Sequence, residues 1–173
     1  MLRNIKPVLA YYIGDIVYGA NDGIITTFAV IAGAAGAGFS ATVIIVLGIA
    51  NLIADGFSMG ASKYLSLRSE QSLEAARGEL RSPLGDGLVT TVSFIVIGTL
   101  PLVPFLVVST GEHTFLVSSV ATAVTLFFVG SARSLVIKKN AFVAGLEMLV
   151  VGGVASVLAY ALGAYVQAFI SSL

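Results

Sequence analysis

The chain has no cysteine and no tryptophan, one histidine, and charged side chains at only 10% of its 173 positions. Without cysteine there is no disulfide and no thiolate metal site, although the redox compartment stays open. The lone histidine, His113, sits beside Glu112 in a polar loop, where it reads as an exposed loop residue. With no Ser-His or Cys-His pairing and no paired metal motif, an enzyme is the weakest reading. The nine Lys and Arg are balanced by nine Asp and Glu, so no basic face exists to neutralise the phosphates of a nucleic acid.

What remains is apolar. Hydrophobic residues make up 57% of the chain and mean hydropathy is +1.01, both outside the range of soluble domains. These values describe an integral membrane protein. The N-terminal "MLRNIKPVLAYY" carries two basic residues, but the run that follows is longer than a signal-peptide core and contains Asp15, so it reads as a retained first helix.

A helix needs roughly 20 residues to cross about 30 Å of hydrocarbon. Five stretches qualify, at Pro7 to Gly38, Ala41 to Leu67, Leu84 to Val108, Thr114 to Val136, and Ala141 to Ile170. The expected fold is all-α, a single five-helix transmembrane domain over residues 1–173 with a short connection at 68–83. Glycine-rich "GAAGAGFS" and polar "STGEHT" separate spans on one side. Ser82-Pro83 reads as a cap and first position of the third helix, and Pro101 and Pro104 are expected to bend its far end. All nine Lys and Arg (Arg3, Lys6, Lys63, Arg68, Arg77, Arg81, Arg133, Lys138 and Lys139) fall at the N-terminus, in the second connection or in the fourth. The positive-inside rule then places the N-terminus in the cytoplasm and, with an odd number of spans, the C-terminus outside.

Against this background the acids in "NDGIITT" (Asn21 to Thr27) and "ADGFSMGASKYLSLRSE" (Ala54 to Glu70) stand out. An unpaired charge in lipid costs at least about 2.5 kcal/mol. Asp22 precedes the turn near Gly38 and Phe39 by about as many residues as Asp55 follows it. Both carboxylates therefore lie at similar depth, roughly 25 Å below that turn. On the first helix Asp15, Tyr18, Asp22 and Thr26 share a face, and on the second Asn51, Asp55 and Met59 do. Gly19 with Gly23, and Gly56 with Gly60, form G-x-x-x-G pairs that let helices approach at a shared face. The glycines serve packing on either reading; an acid is not required for packing, which makes Asp22 a functional candidate.

Carboxylate oxygens, an amide carbonyl and one thioether form a mixed hard and soft donor set. Such a set suits divalent iron, manganese or cobalt better than magnesium or calcium, for which Met59 offers nothing. Met59 also fits as a core filler. Two acids removed from water and close together hold protons readily, so metal binding at Asp22 and Asp55 would release protons.

"NDGIITTFAVIAGAAGAG", "ADGFSMGASKYLSLRSE" and "GLEMLVVGG" closely resemble the vacuolar iron transporter family, over essentially the whole membrane portion. The resemblance implies exchange of ferrous iron or a related divalent ion (Mn2+, with Co2+ and Zn2+ as further candidates) for protons, as transported substrate and not as permanent cofactor. It implies a five-helix protomer, a homodimer with the ion path near its two-fold axis, and transport out of the cytosol. By position, the motif acid is Asp22 and the motif methionine Met59; Asn51 and Asp55 are additions from spacing, with Asn21 and Thr26 beside them. Full-length members carry a long cytosolic helical domain, rich in Glu and Met, between the second and third spans. Here that connection is only "SEQSLEAARGELRSP".

Asp15, Glu70, Glu74 and Glu147 are the candidates for metal capture at the cytosolic mouth. Glu70 and Glu74 share a helical face with Glu79 nearby, but a solvated helix end with Glu74 near Arg77 is the favoured reading. Glu147 either serves the mouth or snorkels toward water and Arg133. "DGIITTFAVIAG" from Asp22 recurs loosely as "DGLVTTVSFIVIG" from Asp86, which reads either as a parallel repeat, putting Asp86 in water at the start of the third helix, or as chance similarity between Thr- and Val-rich helices. The competing functional reading is a non-transporting membrane protein whose polar stripes serve dimer assembly. Brevity and the lack of a targeting segment point to a prokaryotic inner membrane, or a vacuolar membrane if the source is eukaryotic.

Overall fold

The computed structural model describes residues 5–73, 82–107, 113–137 and 140–173. Six α-helices follow one another: α1 (Ile5–Gly36), α2 (Ala41–Leu73), α3 (Pro83–Gly98), the short α4 (Val103–Val107), α5 (Thr114–Ile137) and α6 (Ala141–Ser171). They supply five helical segments long and apolar enough to cross a membrane, with α3 and α4 joined as one broken span from Pro83 to Val107. No strand occurs among the described residues.

Local chemistry sets the helix ends. α1 stops at Gly36, two residues before the sequence-based boundary, because Gly38 adopts the left-handed φ of +72°. The Phe39 N–H donates to the Ala34 carbonyl and the Gly38 N–H to the Ala35 carbonyl, each at 3.0 Å. This Schellman pair satisfies carbonyls that the helix end would leave bare. At α3, Ser82 is the N-cap, its hydroxyl accepting from the Gly85 N–H at 3.3 Å, with Pro83 at the first helical position. Farther along, Pro101 lies in the 3-10 turn Leu100–Leu102 that separates α3 from α4. The Pro101 carbonyl accepts a 2.6 Å bond from the Ser118 hydroxyl of α5, so a neighbouring helix repairs the interrupted ladder.

α1 is the central helix, touching α2, α3, α5 and α6. Phe94 of α3 is fully buried among Phe28, Ile31, Ile44, Leu52, Leu102 and Phe105, and a second cluster joins Ile24, Leu126 and Met148. Lipid is as apolar as these side chains, so their association rests on close packing more than on escape from water.

The glycine pairs do not join α1 to α2 as the sequence implied. Gly19 and Gly23 lie against the backbone of Thr90 and Phe94, while Gly56 meets Phe94 and Ile95 and Gly60 meets Gly87 and Thr91. All four glycines face α3, which wedges between α1 and α2. The Thr91 hydroxyl adds a 3.0 Å bond to the Gly56 carbonyl. As the residue numbers rise together along the α1–α3 contact, these two helices run parallel.

Candidate functional site

One ion pair fixes the register of the α1–α2 hairpin. Lys63 Nζ lies 2.9 Å from Asp15 Oδ1. Asp22 follows Asp15 by two helical turns and Asp55 precedes Lys63 by just over two, so the two acids come to one level on neighbouring antiparallel helices.

Their surroundings differ. Asp22 is half-buried, whereas Asp55 is exposed on the isolated protomer between Ile53 and Phe57, which are 62% and 71% exposed. A carboxylate turned toward acyl chains is costly, which sets Asp55 apart from the apolar side chains beside it. Met59 is half-buried and packs against the Phe94 cluster, which makes it part of the core wall at this level. Asn51 is half-buried, and its Nδ2 is enclosed without a hydrogen-bond partner among the described residues. Thr26 is on the expected face, but its hydroxyl donates to the Asp22 carbonyl at 2.8 Å, leaving only its lone pairs for a ligand.

Other candidates are drawn elsewhere. Asn21 lines a groove of about 520 Å³ between α1, α5 and α6, together with Arg133, Leu146, Glu147 and Met148. Asn21 and Glu147 thus share a second, largely apolar groove beside α5 and α6. Glu70 is exposed and accepts from the Ser66 hydroxyl at 3.1 Å, as a solvated helix end would. Glu74 and Glu79 lie outside the described residues. His113 is exposed in the turn before α5. Among the described residues no three acidic or histidine side chains converge as they would in a resident metal centre.

Asp86 differs from expectation most. Asp15, a candidate for the cytosolic mouth, is 3% exposed and pairs with Lys63. Asp86 was expected in water and is fully buried. The cause is register: Gly19 meets Thr90, so the first turn of α3 packs one turn toward the basic end of α1, beside the Asp15 level. The second "DG…TT" motif therefore lies about two turns away from the depth of the first. In both motifs the threonine hydroxyl bonds the aspartate carbonyl at 2.8 Å. The same symmetric counting about the Gly38 turn that levels Asp22 with Asp55 also levels Asp15 with Lys63, a signal present in the sequence but unused.

Comparison with known proteins adds a lineage to this geometry. A vacuolar iron transporter of Toxoplasma gondii is 25% identical over 225 aligned positions, covering 90% of this chain and 74% of the relative. Vacuolar iron transporter 1 of Oryza sativa subsp. japonica is 24% identical over 213 positions, covering 88% and 84%. A vacuolar iron transporter of Plasmodium falciparum reaches 43% identity over 61 residues, 35% of this chain and 22% of the relative. The two long alignments exceed the length of this chain, so several dozen positions of those relatives face gaps here. The model of the VIT family matches residues 13–81 and 71–164, two segments that meet at the α2–α3 connection and together take in nearly all of the five spans; the chain belongs to the VIT family.

Proposed function

We propose that the chain transports a divalent metal ion, ferrous iron or manganese, across a membrane and out of the cytosol in exchange for protons. The observation that carries this reading is the level placement of Asp22 and Asp55 on two apolar helices, with Asp55 at the protomer surface. The names of the relatives support iron as substrate. The donor set, two carboxylates with the Met59 thioether and the Asn51 amide close by on α2, suits Fe2+, Mn2+ or Co2+, with Zn2+ as a weaker candidate.

The chemistry follows from charge balance. Two carboxylates can be neutralised either by two protons or by one divalent ion. A divalent ion arriving at Asp22 and Asp55 displaces two protons, which leaves the net charge of the site unchanged. Release of the ion is then helped by protons returning from the far side. The exposed Asp55 face needs a cover, and a second copy of the chain supplies one, which places the path near a two-fold axis. The clustering of Lys and Arg puts the N-terminus in the cytoplasm. The membrane is then a prokaryotic plasma membrane, or the vacuolar membrane in a eukaryote.

Purified protein in proteoliposomes, given Fe2+, Mn2+, Co2+ or Zn2+ with a pH-sensitive dye inside, tests the reading. Metal uptake accompanied by counter-flow of protons is the expected result. Metal flux no faster than in empty liposomes for all four ions would favour the assembly reading, in which the polar stripes only hold two protomers together.

A further inference from the structure

The Asp15–Lys63 ion pair is not used by the scheme above. Its side chains are only 4% and 25% exposed. Packing does not require it, because apolar residues of similar size would hold two helices together at least as well. Its position is informative. Asp15 lies on the Asp22 face of α1, two turns toward the basic end, and Lys63 lies one turn beyond Met59 on α2. The pair thus bridges α1 and α2 between the basic end and the level of Asp22 and Met59. α3 closes the third side: Gly60 packs on Gly87 and Thr91, the Ser82 N–H donates to the Tyr11 hydroxyl at 3.0 Å, and fully buried Asp86 occupies its first turn. Arg68, farther along α2, donates to the Tyr64 hydroxyl at 2.7 Å. An ammonium resting on a carboxylate occupies the place a metal cation passing Asp15 would need.

We propose, resting on the transport reading above, that Lys63 is a tethered cation which seals the basic end of the path by occupying Asp15. The path opens at this end when Lys63 swings off, and an arriving divalent ion favours that movement because it competes for the same carboxylate. Lys63 is a positioning residue here, acting through Asp15 and not as a metal ligand.

The absence of cysteine makes an accessibility test clean. Met59→Cys is probed in proteoliposomes with a membrane-impermeant methanethiosulfonate added at the basic side, alone and together with Lys63→Met. Ser66→Cys, exposed on the outer side of the pair, is the reference. Removing the seal is expected to speed labelling of Met59→Cys by at least about tenfold while leaving the reference rate unchanged. Exchanging the two charges, Asp15→Lys with Lys63→Asp, is expected to restore slow labelling. Equal rates with and without Lys63→Met would overturn the proposal, and so would parallel acceleration of the Ser66→Cys reference or a charge exchange as fast as the single variant. Labelling requires no metal and no flux. Its outcome and that of the transport assay can therefore disagree, and each then removes only its own claim.

Discussion

At the scale of single residues, the site depends on very few polar atoms, so conservative substitutions separate their roles. Asp22→Asn keeps the shape and the hydrogen-bonding capacity of the side chain but removes the charge and the proton. In proteoliposomes it is expected to lower metal flux by more than about tenfold, at least the effect of losing an outer-shell partner of a metal. Its size-exclusion profile should stay that of the parent. Met59→Leu preserves volume within the Phe94 cluster, so destabilisation stays below about 1.5 kcal/mol. The thioether matters most to the softer ions, and the variant is expected to transport Fe2+ and Co2+ less well relative to Mn2+, read as a change in the flux ratio. Thr26 should matter less than its position implies, because its hydroxyl already serves the Asp22 carbonyl.

Between helices, packing is set by where side chains are missing. Gly23 lies against the Phe94 backbone, so Gly23→Val forces α1 from α3 at a cost of about 1–3 kcal/mol. Gly14 of the same helix has no atoms near its missing Cβ, and Gly14→Ala should be neutral or stabilising by up to about 1 kcal/mol. Thermal unfolding in detergent with both variants side by side checks the contrast. The five spans were legible in the sequence because hydrocarbon thickness dictates a length that glycine and polar turns punctuate. The common level of Asp22 and Asp55 was legible for a related reason, since a tight hairpin carries depth information through simple counting. The partner of each face was not legible. G-x-x-x-G signals close approach without saying to what, and only the assembled bundle shows α3 receiving all four glycines. The surroundings of Asp86 and Asn21 were not legible on the same ground: the periodicity of one helix cannot report which neighbour lies beside it. Asp86 is buried by the offset of α3 against α1, and Asn21 lines a groove with Arg133 and Glu147.

For the whole molecule, the protomer leaves an acid on an otherwise apolar face of α2, a state that bilayer energetics disfavour and that a second copy would relieve. On the proposed pairing of two copies through that face, Phe57→Lys adds a cation to it and is expected to lower the mass in detergent from that of two chains to that of one, whereas Leu158→Lys, on α6 away from Asp55, should leave the mass unchanged. The central claim is that one divalent ion touches both Asp22 and Asp55. A double-mutant cycle of Mn2+ affinity, followed by electron paramagnetic resonance on the parent chain, Asp22→Asn, Asp55→Asn and the double variant, tests it most directly. Shared coordination predicts that each single change weakens binding and that the double change costs less than their sum by more than about 0.5 kcal/mol. Additive losses, or a single change that leaves Mn2+ affinity untouched, would contradict it.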